Sequence, residues 1–68
     1  MIDRKAYYRR VMNDFTKRYG LTEEEFLRLY NSSNRKEEEL KLPEPLRADI
    51  IHLYVAYGLY LKQQNGDL

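Results

Sequence analysis

Residues Pro45 to Gln64, PLRADIIHLYVAYGLYLKQQ, gather most of the strongly apolar side chains of the C-terminal half, and their spacing leaves few ways to fold. At about 100° per residue, Leu46, Ile50, Leu53, Tyr54, Tyr57, Tyr60 and Leu61 fall on one side, the i, i+3, i+4, i+7 pattern of an amphipathic helix with its core face there. Pro45 suits a first helical turn, where its missing N–H costs nothing, and Asn65-Gly66 is a stop that tolerates left-handed backbone. A strand reading of HLYVAYGLYL draws on the sheet preference of Tyr and Val. It fails because the apolar positions do not alternate and no partner strand is written elsewhere.

The same helix carries a second apolar row, Ile51, Val55 and Leu59 at i, i+4, i+8, flanked by Ala48 and Gly58, which are small enough to let another backbone approach. Asp49, His52, Ala56 and Gln63 form a narrow, more polar strip. A helix apolar on two sides is either the central helix of its domain or half of an interface between chains. A membrane span is excluded on length: the uncharged run Ile50 to Leu61 is well short of the roughly 18 residues needed, and His52 interrupts it.

A chain of 68 residues is one domain, near the size at which a single core is marginal without a staple. No cysteine is present, so neither a disulfide nor a thiolate metal site supplies one. Stability then comes from helix packing and from self-association, with a homodimer as the expected state. Hydrophobic residues are 43% of the chain, enough for a core and too many for a disordered tail. Twelve basic against eleven acidic residues leave no net field toward DNA or anionic lipid. The charged N-terminus MIDRKAYYRR lacks the apolar run of a signal peptide, so a cytoplasmic location is expected.

Residues 3 to 19 read as a first helix with Tyr8, Val11, Met12, Phe15 and Tyr19 on one face, closed by Gly20, with Leu21 folding back on the last turn. Its outer face carries Arg9, Arg10, Lys17 and Arg18, with Lys5 at the border. Those residues form either a basic strip for phosphates or an acidic partner, or a solvated face in which Asp14 pairs with Arg10 and Arg18. Asp3 and Asp14 dilute the patch and favour the solvated reading. Thr22-Glu-Glu-Glu25 is a capping box that starts a second helix at Glu23, whose buried face is Phe26, Leu27, Leu29 and Tyr30. Asn31-Ser-Ser-Asn34 is an end or a bend, after which Asn34 with Glu37 would cap a short turn that points Leu40 inward. Residues 23–41 fit one helix or two, and the NSSN run favours two. Leu42-Pro43-Glu44-Pro45 is a rigid corner. The expected fold is all-α: a small bundle of three main helices, with a short fourth if residues 23–41 divide, packed on a long apolar C-terminal helix.

Catalytic equipment is hard to find. His52 is the only histidine, and no ligand pair surrounds it. The acids at 23–25 and 37–39 are runs at helix starts, explained by capping and solvation. Gly20, Gly58 and Gly66 are isolated and make no phosphate-binding loop. No enzyme, cofactor or metal is therefore expected. The seven tyrosines fit the edge of a core with hydroxyls reaching solvent better than a base-stacking platform; Tyr7, beside the basic strip, is the exception. A helix-turn-helix reader is disfavoured, because the second helix opens with three glutamates and the third is too apolar for a groove.

The run LTEEEFLRLYNSSNRKEEEL, Leu21 to Leu40, resembles a stretch of the Hha/YmoA family of small helical regulators, which act by binding nucleoid-associated proteins. The resemblance covers under a third of the chain, and the family's acidic-His-Arg signature stands here as Asn34-Arg35-Lys36. It implies a regulator that acts through a protein partner. The residues themselves point to a small interaction module, a regulator, inhibitor or assembly adaptor of the kind phages and plasmids encode. Ile51, Val55 and Leu59 are its apolar contact, and Arg9, Arg10, Lys17 and Arg18 an electrostatic one. The alternative is a nucleic-acid-binding regulator that uses the basic face of the first helix, with an affinity that falls steeply with salt.

Overall fold

The computed structural model describes residues 3–66, and the regular structure among them is helical: α1 Arg4–Tyr19, α2 Glu23–Tyr30, α3 Arg35–Glu39 and α4 Glu44–Gln64. The all-α bundle expected from periodicity is the fold, with residues 23–41 divided into two helices. Local chemistry sets most of the ends. The Asp3 carboxylate accepts from the N–H groups of Lys5 and Ala6 to start α1. Gly20 ends it at φ 73°, a left-handed conformation that costs glycine least. Thr22 opens α2 with a complete capping box: its Oγ1 accepts from the Glu25 N–H at 3.1 Å while Glu25 Oε1 accepts from the Thr22 N–H at 3.1 Å. Pro43 precedes α4, and Pro45 occupies its first turn.

Helix α1 lies antiparallel along α4. At one end the Tyr19 hydroxyl donates to the Asp49 carboxylate, and at the other the Arg4 N–H donates to Gln63 Oε1 at 3.0 Å. Helices α2 and α3 close the other flank. Tyr8, Met12, Phe15, Leu21, Phe26, Leu29, Leu46, Ile50, Leu53 and Ala56 form one core, in which Phe26 and Leu53 are fully buried. Around Phe26 the rings interlock. Tyr8 stacks on Tyr60 with centroids 5.4 Å apart, and Tyr30 meets Tyr57 edge-on at 4.8 Å.

Several side chains depart from the sequence reading. Leu40, expected inward, is 69% exposed, because α3 is only five residues long and Leu40 falls in the turn after it. The inward side of α3 is held instead by Arg35, whose guanidinium lies 4.8 Å from the Tyr30 ring and 5.1 Å from the Tyr54 ring, and by Glu39, which accepts from the Tyr54 hydroxyl. Asn34 makes no side-chain cap with its φ of −109° and ψ of 42°; its N–H donates to Ser32 Oγ. Ala56, placed in the polar strip, is fully buried, on the side of α4 that also carries Asp49 and so meets α1. Leu61 is only half-buried and lies outside the core cluster.

Candidate functional site

Neighbours on two flanks do not wrap a helix. With α1 on one flank of α4 and α2 and α3 on the other, the side of α4 opposite Leu46, Ile50 and Leu53 stays open. On that side Ile51 is 55% exposed and Val55 53% exposed, each in position to gain roughly 1–1.5 kcal/mol from burial of what remains open. Leu59 is half-buried at its margin, and Ala48 is exposed one turn before Ile51.

Gly58 sharpens the picture. It sits inside a 21-residue helix, where glycine costs about 1 kcal/mol relative to alanine. Its φ is not positive, and a Cβ built there meets nothing within 4 Å. Neither the backbone nor the packing of this chain calls for glycine at that position. A smooth gap beside Val55 remains.

The four basic residues of α1 do not share one face. Arg9 and Arg18 are nine residues apart, which places them on opposite sides of a helix. Arg9 borders a hollow of about 380 Å³ shared with Asn13, Thr16 and Glu23, between α1 and α2. Arg10 and Arg18 line a shallow groove of about 470 Å³ between α1 and α4, together with Tyr7, Asp14, Asp49 and His52. Arg18 Nε contacts Asp14 Oδ2 at 3.3 Å, whereas Arg10 has no ion pair among the described residues. Lys17 is exposed on the outer side of α1. Tyr7, 39% exposed, lines the same groove, whose α4 wall, Asp49 and His52, adjoins the open row at Ala48 and Val55.

Three tyrosine–carboxylate pairs went unread in the sequence. Tyr8 donates to Glu23 at 2.8 Å, Tyr19 to Asp49 and Tyr54 to Glu39. The partners are 15, 30 and 15 residues apart, so no helical spacing announces them. Burial, then the Glu23 hydrogen bond, pushes the Tyr8 hydroxyl well above its ordinary pKa of 10; burial and then Glu39 do the same for Tyr54. For Tyr19 the hydrogen bond to Asp49 is the first cause. All three hydroxyls therefore stay neutral donors at physiological pH. Their geometry ties separate helices together.

Among the described residues no three His, Cys, Asp or Glu side chains converge as metal ligands, and no helix is long and apolar enough to cross a membrane. No protein-family model, curated protein or solved structure matches the chain. The resemblance of residues 21–40 to the Hha/YmoA stretch thus stays local, and function has to be argued from the surface itself.

Proposed function

We propose that this chain is a non-enzymatic protein-interaction module, of the regulator, inhibitor or adaptor type, that works by presenting the outer face of α4 to another polypeptide. The observation that carries this reading is the pair Ile51 and Val55, both more than half exposed on the longest helix and next to a glycine the fold does not require. Isolated apolar residues are ordinary on a protein surface. A contiguous row along one helix, with a gap for close approach, is the pattern of an interface. Of the basic residues of α1, Arg10, which has no ion pair among the described residues, supplies a positive charge in the groove that adjoins that face, while Arg18 is paired with Asp14.

A reading through nucleic acid has less support, since Arg9, Arg10, Lys17 and Arg18 spread around α1 and share their surroundings with Glu23, Asp14 and Asp49. Photo-crosslinking tests the protein-interaction reading. The chain is expressed in its native cell with p-benzoylphenylalanine in place of Val55, and separately in place of Glu24, an exposed residue of α2. A discrete adduct of defined mass is expected from position 55, absent from position 24 and lost when Ile51→Glu is added. No adduct from position 55 would remove the reading.

A further inference from the structure

The open face of α4 has a longer pattern than its apolar centre. Glu44, Ala48, Ile51, Val55, Gly58 and Lys62 follow one another at intervals of 4, 3, 4, 3 and 4 residues, all within one uninterrupted helix. Five of them are exposed and Gly58 is half-buried. This is the 3-4 alternation of a heptad seam, the spacing at which a second helix stays in contact over successive turns. At 1.5 Å per residue it runs for about 27 Å.

The seam is self-complementary in one direction only. Its pattern reads the same in chemical kind when reversed: an end charge, a small residue, a branched apolar residue, a branched apolar residue, a small residue and an end charge of opposite sign. If a second copy lies antiparallel, Ile51 faces Val55 of the other chain, Ala48 faces Gly58, and Glu44 faces Lys62, with each contact made twice by symmetry. The small pairs let the backbones close in around the two apolar layers, which gives Gly58 the role it lacks inside the chain. A parallel pairing would set Glu44 against Glu44 and Lys62 against Lys62, and like charges so placed repel.

We infer that the occupant of this face is a second copy of the chain, docked antiparallel through α4 in the register that pairs Ile51 with Val55 and Glu44 with Lys62. This rests on the outer face of α4 being a protein-binding surface and names what binds there. Two such seam ends add four charges of alternating sign at the rim, so salt weakens the dimer without abolishing it.

Sedimentation equilibrium at low salt on the wild type, Glu44→Lys, Lys62→Glu and the double reversal tests the arrangement. The wild type is expected to be a dimer. Each single reversal turns two attractions into two repulsions and should weaken dimerisation roughly tenfold, while the double reversal returns it to within about twofold of wild type. Because the chain has no cysteine, introduced thiols report register directly. An oxidised mixture of Ile51→Cys and Val55→Cys chains should give mainly the mixed disulfide. Wild-type chains that stay monomeric up to about 1 mM overturn self-pairing. A dimer without charge rescue, or with like-to-like disulfides, overturns the antiparallel register. If the chain is monomeric yet position 55 still crosslinks in the cell to a product that is not twice its mass, the surface stands and the second copy falls. If the crosslink is also absent, both fall.

Discussion

The two long sides of α4 are made from nearly the same residues and have opposite fates. On the inner side Leu46, Ile50, Leu53 and Ala56 lie under α1 and α2 and are almost wholly buried. On the outer side Ala48, Ile51 and Val55 are exposed, Ile51 and Val55 more than half so, and Leu59 at the margin is half-buried. Apolarity alone therefore does not say what a helix face is for. The inner side stabilises the monomer; on the proposed reading the outer side would stabilise only a complex. Substitutions on the two sides should separate along that line.

The largest effect belongs to the inner side. Leu53 is fully buried between the helices, so Leu53→Ala removes its contacts and leaves a cavity, at a cost of about 2–5 kcal/mol. In a domain this small that is a large share of the total stability. Chemical denaturation should show a much lower midpoint and, at physiological temperature, a substantial unfolded fraction. A loss below about 1 kcal/mol would mean that the core is looser than the interlocked rings around Phe26 imply.

Gly58→Ala should move the two properties in opposite directions. A Cβ meets nothing within 4 Å, so the monomer should gain about 1 kcal/mol of helix stability. In the proposed antiparallel pair the same methyl would stand where Ala48 of the second copy approaches, and association should weaken. Thermal melts at high dilution and sedimentation at high concentration read the two effects separately. Gains in both would place the dimer contact elsewhere on the molecule.

A smaller effect is expected from the tyrosine pairs, which brace the inner side. Tyr54→Phe removes the donor to Glu39 and should cost about 0.5–1 kcal/mol near neutral pH. The pH dependence has a definite sign. The Tyr54 and Tyr8 hydroxyls are held protonated in the folded chain beyond their ordinary pKa of 10, so their contribution is complete below pH 10 and is lost as pH rises above it. Stability should fall on the alkaline side of pH 10, less steeply in Tyr54→Phe. A melting temperature indifferent to pH in that range would show that these hydroxyls are not buried donors.

Helical periodicity and end signals made the fold legible. Thr22 with Glu25, Gly20 and the Pro43–Pro45 corner mark the boundaries of α1, α2 and α4 through contacts a few residues apart. What stayed hidden depends on tertiary position. Ala56 falls in the more polar strip by spacing and is buried because α1 packs there, whereas Leu40 reads as core and is exposed because α3 ends before it. Nothing in the spacing singles out Arg35, and it lies against Tyr30 and Tyr54 on the other flank of α4. The apolar centre of the candidate site, Ile51, Val55 and Leu59, could be read from spacing. Its neighbours could not, because the position of Tyr7, Arg10 and Arg18 relative to α4 depends on how α1 packs.

The smallest effect on monomer stability is expected at the centre of the outer side, and it gives the sharpest form of the contrast with Leu53. Val55→Glu replaces a half-exposed side chain with one that water solvates, so the isolated chain should change by no more than about 0.5 kcal/mol. A dimer raises the apparent melting temperature appreciably only when the protein concentration exceeds its dissociation constant, because mass action adds stability that grows with the logarithm of concentration above it. Wild type and Val55→Glu should therefore melt together at high dilution and separate as concentration rises, the wild type climbing and the variant staying level. If they melt apart at every concentration by the same margin, Val55 supports the monomer after all, and the division between the two sides of α4 is wrong.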